Sequence, residues 1–228
     1  MTAPALAAVE LTKDYGDGPA LNSVSLTIDV GERIALVGHN GSGKTTLLRI
    51  AAGLLDATSG RLEIFGERPV EIDARRRLSY LADTPVFYDD LSVWEHLEYT
   101  ARLHGVTDWV DRATRLLVDL GIDSRANELP GRFSRGLKQK AAIATALVRP
   151  FDLLLVDEPF VGLDTMGRKA LLSSLDDASE RGATLVVATH EPSFLDRVSR
   201  VVILRDGDIV HDGAPADEFV RSWIHSPS

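Results

Sequence analysis

The sequence predicts an α/β fold built on a mainly parallel β-sheet with helices on both faces. Apolar, strand-like runs lie within residues 33–38, 151–159 and 183–190, and such runs are typical of strands buried on both sides of a sheet. Helical stretches alternate with these strands, and alternation of this kind produces parallel sheets. A helix-rich block covers about residues 84–150. We therefore expect an α/β core into which this helical block is inserted.

The remaining elements follow from apolar periodicity and from the residues that end each element. In chain order, we predict a helix at 44–55, a strand at 61–66, helices at 91–105 and 108–121, a third helix of the block that starts within "FSRGLKQK" and stops at Pro150, and a hairpin at 201–213. Glycine ends each of the first two helices of the block. The Asp206-Gly207 pair supplies the positive φ that a tight hairpin turn requires.

Composition narrows the class of protein. The chain has 228 residues, a net charge of −9 and no cysteine, which excludes disulfides, thiolate catalysis and cysteine metal sites. The acidic balance counts against nucleic acid as a partner, because DNA-binding proteins usually carry a net positive charge. No apolar run approaches the roughly 18 residues of a membrane span, and the N-terminus lacks the pattern of a signal peptide. We expect a cytoplasmic chain that reaches a membrane only through a partner.

The segment "GHNGSGKTT" (38–46), the phosphate loop, follows a strand and opens a helix, as a G-x-x-x-x-G-K-[ST] motif requires. Its glycines allow backbone N–H groups to curl around a phosphate, and the helix N-terminus favours an anion. Lys44 places a positive charge on the β and γ phosphates, and the Thr45 hydroxyl can bind Mg²⁺. The candidate nucleotide-binding residues are Gly38, His39, Asn40, Gly41, Ser42, Gly43, Lys44, Thr45 and Thr46.

Two carboxylates and a histidine follow strands whose carboxyl ends meet at the same edge of the sheet. Asp157 is the natural ligand for Mg²⁺, and Glu158 can orient or deprotonate a water that attacks the γ phosphate. An isolated acidic pair more often caps a helix, but the phosphate loop favours the functional interpretation. His190 ends a strand at this edge and can contact the γ phosphate, although a lone histidine is commonly structural. Tyr15 can stack on a base.

Together these motifs resemble the ATP-binding cassette (ABC) ATPases over almost the whole chain. The segment "FSRGLKQK" lies where the family has its signature motif, because Ser134 is 157 − 134 = 23 residues ahead of Asp157. "VGLD" (161–164), the D-loop, resembles the segment that places Asp164 at the family's dimer seam. A phosphate loop alone would also be compatible with kinases and GTPases, whereas this set of motifs in this order is specific to the ABC ATPases.

The resemblance implies a P-loop NTPase (RecA-like) core, an N-terminal antiparallel β subdomain and an inserted α-helical subdomain. The expected division of the single domain 1–228 assigns residues 1–83 and 151–228 to the core and 84–150 to the helical subdomain. The implied cofactors are ATP and Mg²⁺. In the family's head-to-tail dimer, each ATP lies between the phosphate loop of one chain and the signature of the other, where Ser134 and Gly136 would face the γ phosphate.

Two departures from the family pattern stand out. The signature reads Phe133-Ser134-Arg135-Gly136-Leu137, with arginine and leucine where the family has glycine and glutamine. The helix end from about Leu137 is expected to add its dipole to this site. At the family's Q-loop, Asp83 stands in place of glutamine. It keeps a metal-compatible oxygen on a shorter side chain, and the alternative is that Asp83 only starts a turn before Pro85.

The resemblance predicts an ATPase in which Lys44, Glu158 and His190 are catalytic and which powers a separate membrane permease. A homodimer is favoured over pairing with a related ATPase subunit, and the chain would sit on the inner face of the cell membrane. The Q-loop region and the absence of an accessory domain after "GDIVHDGAPADEF" favour export over import. The alternatives are a soluble cassette ATPase that acts on a macromolecule and a nucleotide-binding regulator without hydrolysis.

Overall fold

The computed structural model describes residues 3–16 and 18–215. The strands are β1 (Leu6–Asp14), β2 (Pro19–Ile28), β3 (Arg33–Val37), β4 (Ser59–Ile64), β5 (Leu78–Leu81), β6 (Leu153–Asp157), β7 (Thr184–Ala188), β8 (Arg200–Arg205) and β9 (Asp208–Gly213). The α-helices are α1 (Lys44–Ala51), α2 (Ile72–Arg77), α3 (Val93–Leu103), α4 (Val110–Asp119), α5 (Arg135–Leu147), α6 (Thr165–Glu180) and α7 (Pro192–Leu195). Short 3₁₀ turns at Asp123–Arg125 and Pro130–Arg132 connect α4 to α5.

The strands of the described chain form two sheets. The larger has the order β5-β6-β7-β3-β8-β9, in which every neighbouring pair is parallel except β8 and β9. The smaller has the order β2-β1-β4 and is antiparallel. The predicted α/β class, with a mainly parallel sheet and an N-terminal antiparallel region, is confirmed.

The central strands are buried because both faces of the larger sheet are covered. Every residue of β6 and of β7 is buried, which agrees with their apolar sequences. One face packs with α3, α4, α5 and α6 in one hydrophobic core. The other face packs with α1 and the antiparallel sheet in a second core. The strand ends that carry Asp157 and the phosphate loop are therefore fixed by packing on both sides.

Several predicted bounds change. The first helix ends at Ala51, not residue 55, because Gly53 adopts φ 67° and turns the chain. Helix α5 begins at Arg135, two residues before the predicted Leu137, since the Ser134 hydroxyl accepts a hydrogen bond from the backbone N–H of Leu137. The predicted hairpin is confirmed, with positive φ at both Asp206 and Gly207.

The helical block between β5 and β6 contains α3, α4 and α5. Ser92 and Glu95 form a reciprocal capping box that fixes the start of α3. Across the described ranges, no helix combines the length and the hydropathy needed to cross a membrane. The end of the predicted core, residues 216–228, lies outside the described residues.

Leu97 tests the packing of the helical block, because its side chain is fully buried between helices. We expect Leu97→Ala to lower the free energy of unfolding by about 2–5 kcal/mol, through lost burial and a residual cavity. Leu103, on the same helix, is 67% exposed, so Leu103→Ala should change it by less than about 0.5 kcal/mol. Urea unfolding followed by circular dichroism measures both, and equal losses would contradict the described packing.

Candidate functional site

A cavity of about 600 Å³ opens where β3 and β6 reach the carboxyl edge of the parallel sheet. Ligands bind at this edge in open α/β sheets. Residues 40–46 of the phosphate loop form one wall, and Asp83, Glu158 and His190 also line the cavity. The structure therefore brings together residues that lie far apart in the sequence, as the motifs predicted.

The backbone of the phosphate loop requires glycine at two places. Gly38 has φ 159°, and a Cβ there would lie 2.3 Å from the carbonyl oxygen of Leu204. Gly43 has φ 107°, and its Cβ would lie 2.5 Å from the carbonyl oxygen of Ala20. A side chain at either position would push the loop away from its neighbours. The loop is thereby held against β2 and β8 while its other side faces the cavity.

Lys44 is the buried cation of the loop, with only 6% of its side chain exposed. Its Nζ donates hydrogen bonds to the carbonyl oxygens of Gly38 and His39, across the loop that it belongs to. Burial lowers the pKa of Lys44, and the carboxylates of Glu158 and Asp157 oppose that change. A phosphate bound inside the loop would be an anionic partner for this ammonium group.

Asp157 ends β6 and is completely buried. Burial raises its pKa, and the nearby Thr45 hydroxyl opposes part of that rise. Neither carboxylate oxygen makes a hydrogen bond of full geometry within the described residues. An unpaired buried carboxylate is costly unless a charge or donor compensates it. These two oxygens, with the hydroxyl of Thr45, suit a divalent cation that prefers oxygen ligands.

Glu158 is the carboxylate that follows Asp157, and it lines the cavity. Its Oε1 lies 3.9 Å from the Nζ of Lys44 and 3.6 Å from the Nε2 of His190. Its backbone has φ 45°, a strained conformation for a residue other than glycine, and its N–H donates to the carbonyl oxygen of Ala188 on β7. Burial raises the pKa of Glu158 to about 7. Such a carboxylate is suited to exchange a proton near neutral pH.

His190 follows β7, lines the cavity and is half exposed. Burial and the charge of Lys44 lower its pKa, which favours the neutral ring. The next residue, Glu191, pairs with Arg168 of α6, and Arg168 also donates to the carbonyl oxygen of Leu163 in the D-loop. This link between the D-loop and the loop that carries His190 was not anticipated from the sequence.

Asp83 follows β5 and is half buried in the cavity wall. Its charge contributes to the raised pKa values of both Asp157 and Glu158, so the three carboxylates lie close enough to repel one another. A cation among them would relieve this repulsion. The position is compatible with the metal role predicted for Asp83.

Other predicted residues lie away from the cavity lining. Tyr15 is 59% exposed, with its ring 5.2 Å from the Nζ of Lys13. His39 instead faces Asp206, at 3.2 Å between Nε2 and Oδ1. Ser134 caps α5, and Asp164 caps α6 by accepting the N–H of Gly167 at 2.7 Å.

The signature and the D-loop contact each other. A Cβ on Gly136 would lie 2.5 Å from the carbonyl oxygen of Gly162, so glycine permits this approach. The Nζ of Lys140 lies 2.9 Å from Oδ2 of Asp164, and only 6% of the Lys140 side chain is exposed. The two segments therefore form one surface beside the cavity.

Three residues that line the cavity were missed as site residues: Ala20, Arg135 and Val161. Ala20 and Val161 carry no chemical signal in the sequence. Arg135 did carry one, because it replaces a glycine of the family signature. The sequence does not show that its side chain borders the phosphate loop of its own chain.

The phosphate loop at the carboxyl edge of a parallel sheet places the chain among the P-loop NTPases. The sequence model of the ABC transporter family matches residues 21–161. The chain is 34% identical over 217 residues to the "SkfA peptide export ATP-binding protein SkfE" of Bacillus subtilis (strain 168). The aligned region covers 93% of this chain and 91% of SkfE. The chain belongs to the ABC transporter family, and it is an ATPase of that family.

Two solved structures are similar throughout. The "Structure of ATP binding subunit of ABC transporter" superposes with a TM-score of 0.87 at 31% identity, covering 96% of this chain and 92% of that one. A dimeric structure of the ATP-binding cassette MJ0796, bound to ADP and Pi in a post-hydrolysis state, gives a TM-score of 0.82 at 26% identity and covers 93% and 99%. The predicted family and fold are confirmed.

Gly136 tests the contact between the signature and the D-loop. We expect Gly136→Ala to lower the free energy of unfolding by about 1–3 kcal/mol, because the new methyl group meets a backbone oxygen that cannot move alone. Gly131→Ala is the matched control, since a Cβ there meets nothing within 4 Å. Thermal and urea unfolding report the difference. Equal stability of the two variants would show that the contact is not close.

Proposed function

We propose that the chain hydrolyses ATP with Mg²⁺ to power export by a separate membrane permease. The observation that carries the chemical part is the position of Glu158, within 4 Å of both Lys44 and His190 at the cavity wall. A nucleophilic water beside Glu158 would face a phosphate held by the loop. This arrangement has the parts that phosphoryl transfer to water requires.

The phosphate loop binds and orients the triphosphate. Its backbone N–H groups and the N-terminus of α1 favour the phosphates, and Lys44 adds its charge to the β and γ groups. The remaining loop residues, Gly38 to Thr46, hold this shape around the ligand. Tyr15, exposed after β1, is assigned to stacking on the adenine base.

The metal ligands proposed are Thr45, Asp157 and Asp83. The buried oxygens of Asp157 lack other hydrogen-bond partners in the described chain, and hard oxygen ligands of this kind fit Mg²⁺. When bound, Mg²⁺ neutralises charge on the β and γ phosphates. Asp157, Asp83 and the Thr45 hydroxyl in the first turn of α1 would supply oxygen ligands to it.

Glu158 accepts a proton from the attacking water or orients that water. Its fixed, strained backbone and its hydrogen bond to β7 keep the carboxylate in one place. His190, with its Nε2 3.6 Å from Oε1 of Glu158, would contact the γ phosphate, and its neutral ring can donate or accept one hydrogen bond there. These assignments make Lys44, Glu158 and His190 the catalytic residues.

A second cassette completes the site in this proposal. Ser134, Gly136 and Asp164 lie outside the cavity of their own chain, on the surface formed by the signature and the D-loop. The family resemblance implies that this surface faces the nucleotide of the partner, and the relative bound to ADP and Pi is a dimer. A homodimer is the simplest form, because one chain carries both halves of the composite site.

The permease is proposed to dock at an apolar groove of about 810 Å³ beside the helical block. Leu54, Ile72 and Leu103 line the groove, and each is more than 60% exposed. Exposed apolar side chains that are grouped on one surface are typical of an interaction site. The export function named for SkfE supports export here, and docking would hold the chain at the inner face of the cell membrane.

We also propose a division into two subdomains that can shift at this groove. The core would comprise residues 1–83 and 151–228, and the helical subdomain residues 84–150. The groove lies between α1 and α2 on one side and the end of α3 on the other. A change in the angle between the subdomains would therefore alter both the groove and the place of the signature.

Glu158→Gln tests the hydrolytic role. We expect ATP binding to persist, turnover to fall at least about 100-fold and an ATP-bound dimer to accumulate, because the amide keeps the shape but cannot take a proton. Phosphate release and light scattering measure turnover and dimer mass. Glu180→Gln, at an exposed site on α6, is the control and should retain activity. Hydrolysis by Glu158→Gln at a near-normal rate would refute the assignment.

Asp83→Ala tests the metal role of the shortened Q-loop side chain. We expect Mg²⁺-dependent hydrolysis to fall about 10- to 100-fold, with a higher Mg²⁺ concentration needed for half-maximal rate. Asp83→Gln, which restores the residue usual in the family, should recover part of the rate. Asp90→Ala is an exposed control in the same loop. An unchanged Mg²⁺ dependence in Asp83→Ala would show that Asp83 only shapes the turn.

A further inference from the structure

Arg135 is the first residue of α5, and its side chain runs back toward the cavity of its own chain. Its Cγ and Cδ would lie 3.6 and 3.8 Å from a Cβ placed on Gly162, so the aliphatic stem crosses the D-loop at a glycine. Beyond this crossing, the side chain lines the same cavity as Lys44, Glu158 and His190. The D-loop thus supports the stem of a residue that lines the phosphate site.

Arg135 is exposed, and its guanidinium group has no ion pair or hydrogen bond to any described residue. Other arginines near the site are paired, as Arg168 is with Glu191. A cation in the first turn of a helix also opposes the helix dipole, and no acidic residue compensates it in that turn of α5. The helix dipole therefore does not favour an arginine at this position.

The charges around the cavity show what an arginine would supply. Lys44 is the cation of the phosphate loop, and it already faces the carboxylate of Glu158. Asp83 adds a second negative charge to the wall. A bound triphosphate would bring several more, so one ammonium group leaves much of the ligand charge uncompensated. A guanidinium group can bind phosphate oxygens through two parallel hydrogen bonds.

We propose that Arg135 contacts the terminal phosphate of the nucleotide bound by its own chain. This inference rests on the proposed function, and it adds a contact made in cis to a signature that is expected to act on the partner's nucleotide. The terminal phosphate is assigned because Arg135 shares the cavity with Glu158 and His190, the residues placed at that end. Arginines supplied in cis stabilise the same charge in other P-loop proteins. The single chain would therefore distinguish ATP from ADP before it dimerises.

Titration calorimetry with ATP and with ADP tests this contact. Both titrations use EDTA, which prevents Mg²⁺-dependent hydrolysis, and a protein concentration at which light scattering shows a monomer. Arg135→Met keeps the stem that packs on Gly162 and removes the charge. We expect it to weaken ATP binding about tenfold, equivalent to about 1.4 kcal/mol, and ADP binding by less than about twofold.

Arg132→Met is the matched control, because Arg132 lies three residues earlier, is exposed and does not line the cavity. It removes the same charge and should leave both affinities unchanged. Arg135→Lys should recover part of the ATP affinity, since it restores charge without the two-pronged geometry. Circular dichroism melting curves establish that each variant is folded.

Two outcomes would overturn the inference. ATP binding by Arg135→Met as tight as that by Arg132→Met would place the Arg135 side chain away from the nucleotide of its own chain. Equal losses for ATP and ADP would remove the terminal phosphate as its target. Lys44→Ala separates these results from the proposed function. If the wild-type chain binds ATP and Lys44→Ala does not, the proposed nucleotide site stands whatever Arg135 does.

Discussion

The parallel pairing of β6 with β7, and of β7 with β3, is the constraint on which the site depends. In this pairing, Ala188 of β7 lies opposite Asp157 of β6 on one side and opposite Leu36 of β3 on the other. The three strands therefore end together, so the phosphate loop, the acidic pair and His190 emerge at one edge. A shift of one residue in any strand would turn its buried side chains to the opposite face. Packing on both faces of the sheet excludes such a shift.

The same edge concentrates features that ordinary stability would remove. Asp157 is buried without a full hydrogen bond, Glu158 has a strained backbone, and Lys44 is a buried cation. Each of these is costly in isolation. Their charges offset one another only in part, because the negative groups are crowded together: the charge of Asp83 contributes to the raised pKa values of both Asp157 and Glu158. A ligand that brings both phosphate and a metal ion matches this set of unpaired groups.

The sequence alone was sufficient for the fold class and for the members of the cavity wall that carry motifs. Uninterrupted apolar residues identify β6 and β7, and glycine spacing identifies the phosphate loop. It was insufficient where tertiary contacts decide. The position of the Arg135 side chain depends on its contact with Gly162. This contact has no local pattern, because the two residues are distant in the chain.

Contacts around the D-loop join the signature to the catalytic edge. Lys140 of α5 pairs with Asp164, and Gly136 lies against Gly162, so the signature helix and the D-loop are held together at two points. Arg168 then links the D-loop carbonyl of Leu163 to Glu191, next to His190. Coupling between sites requires a continuous physical connection of this kind. A displacement of α5 must therefore strain the loop that holds His190, unless these polar contacts break. The arrangement of the signature and that of the cavity are consequently not independent.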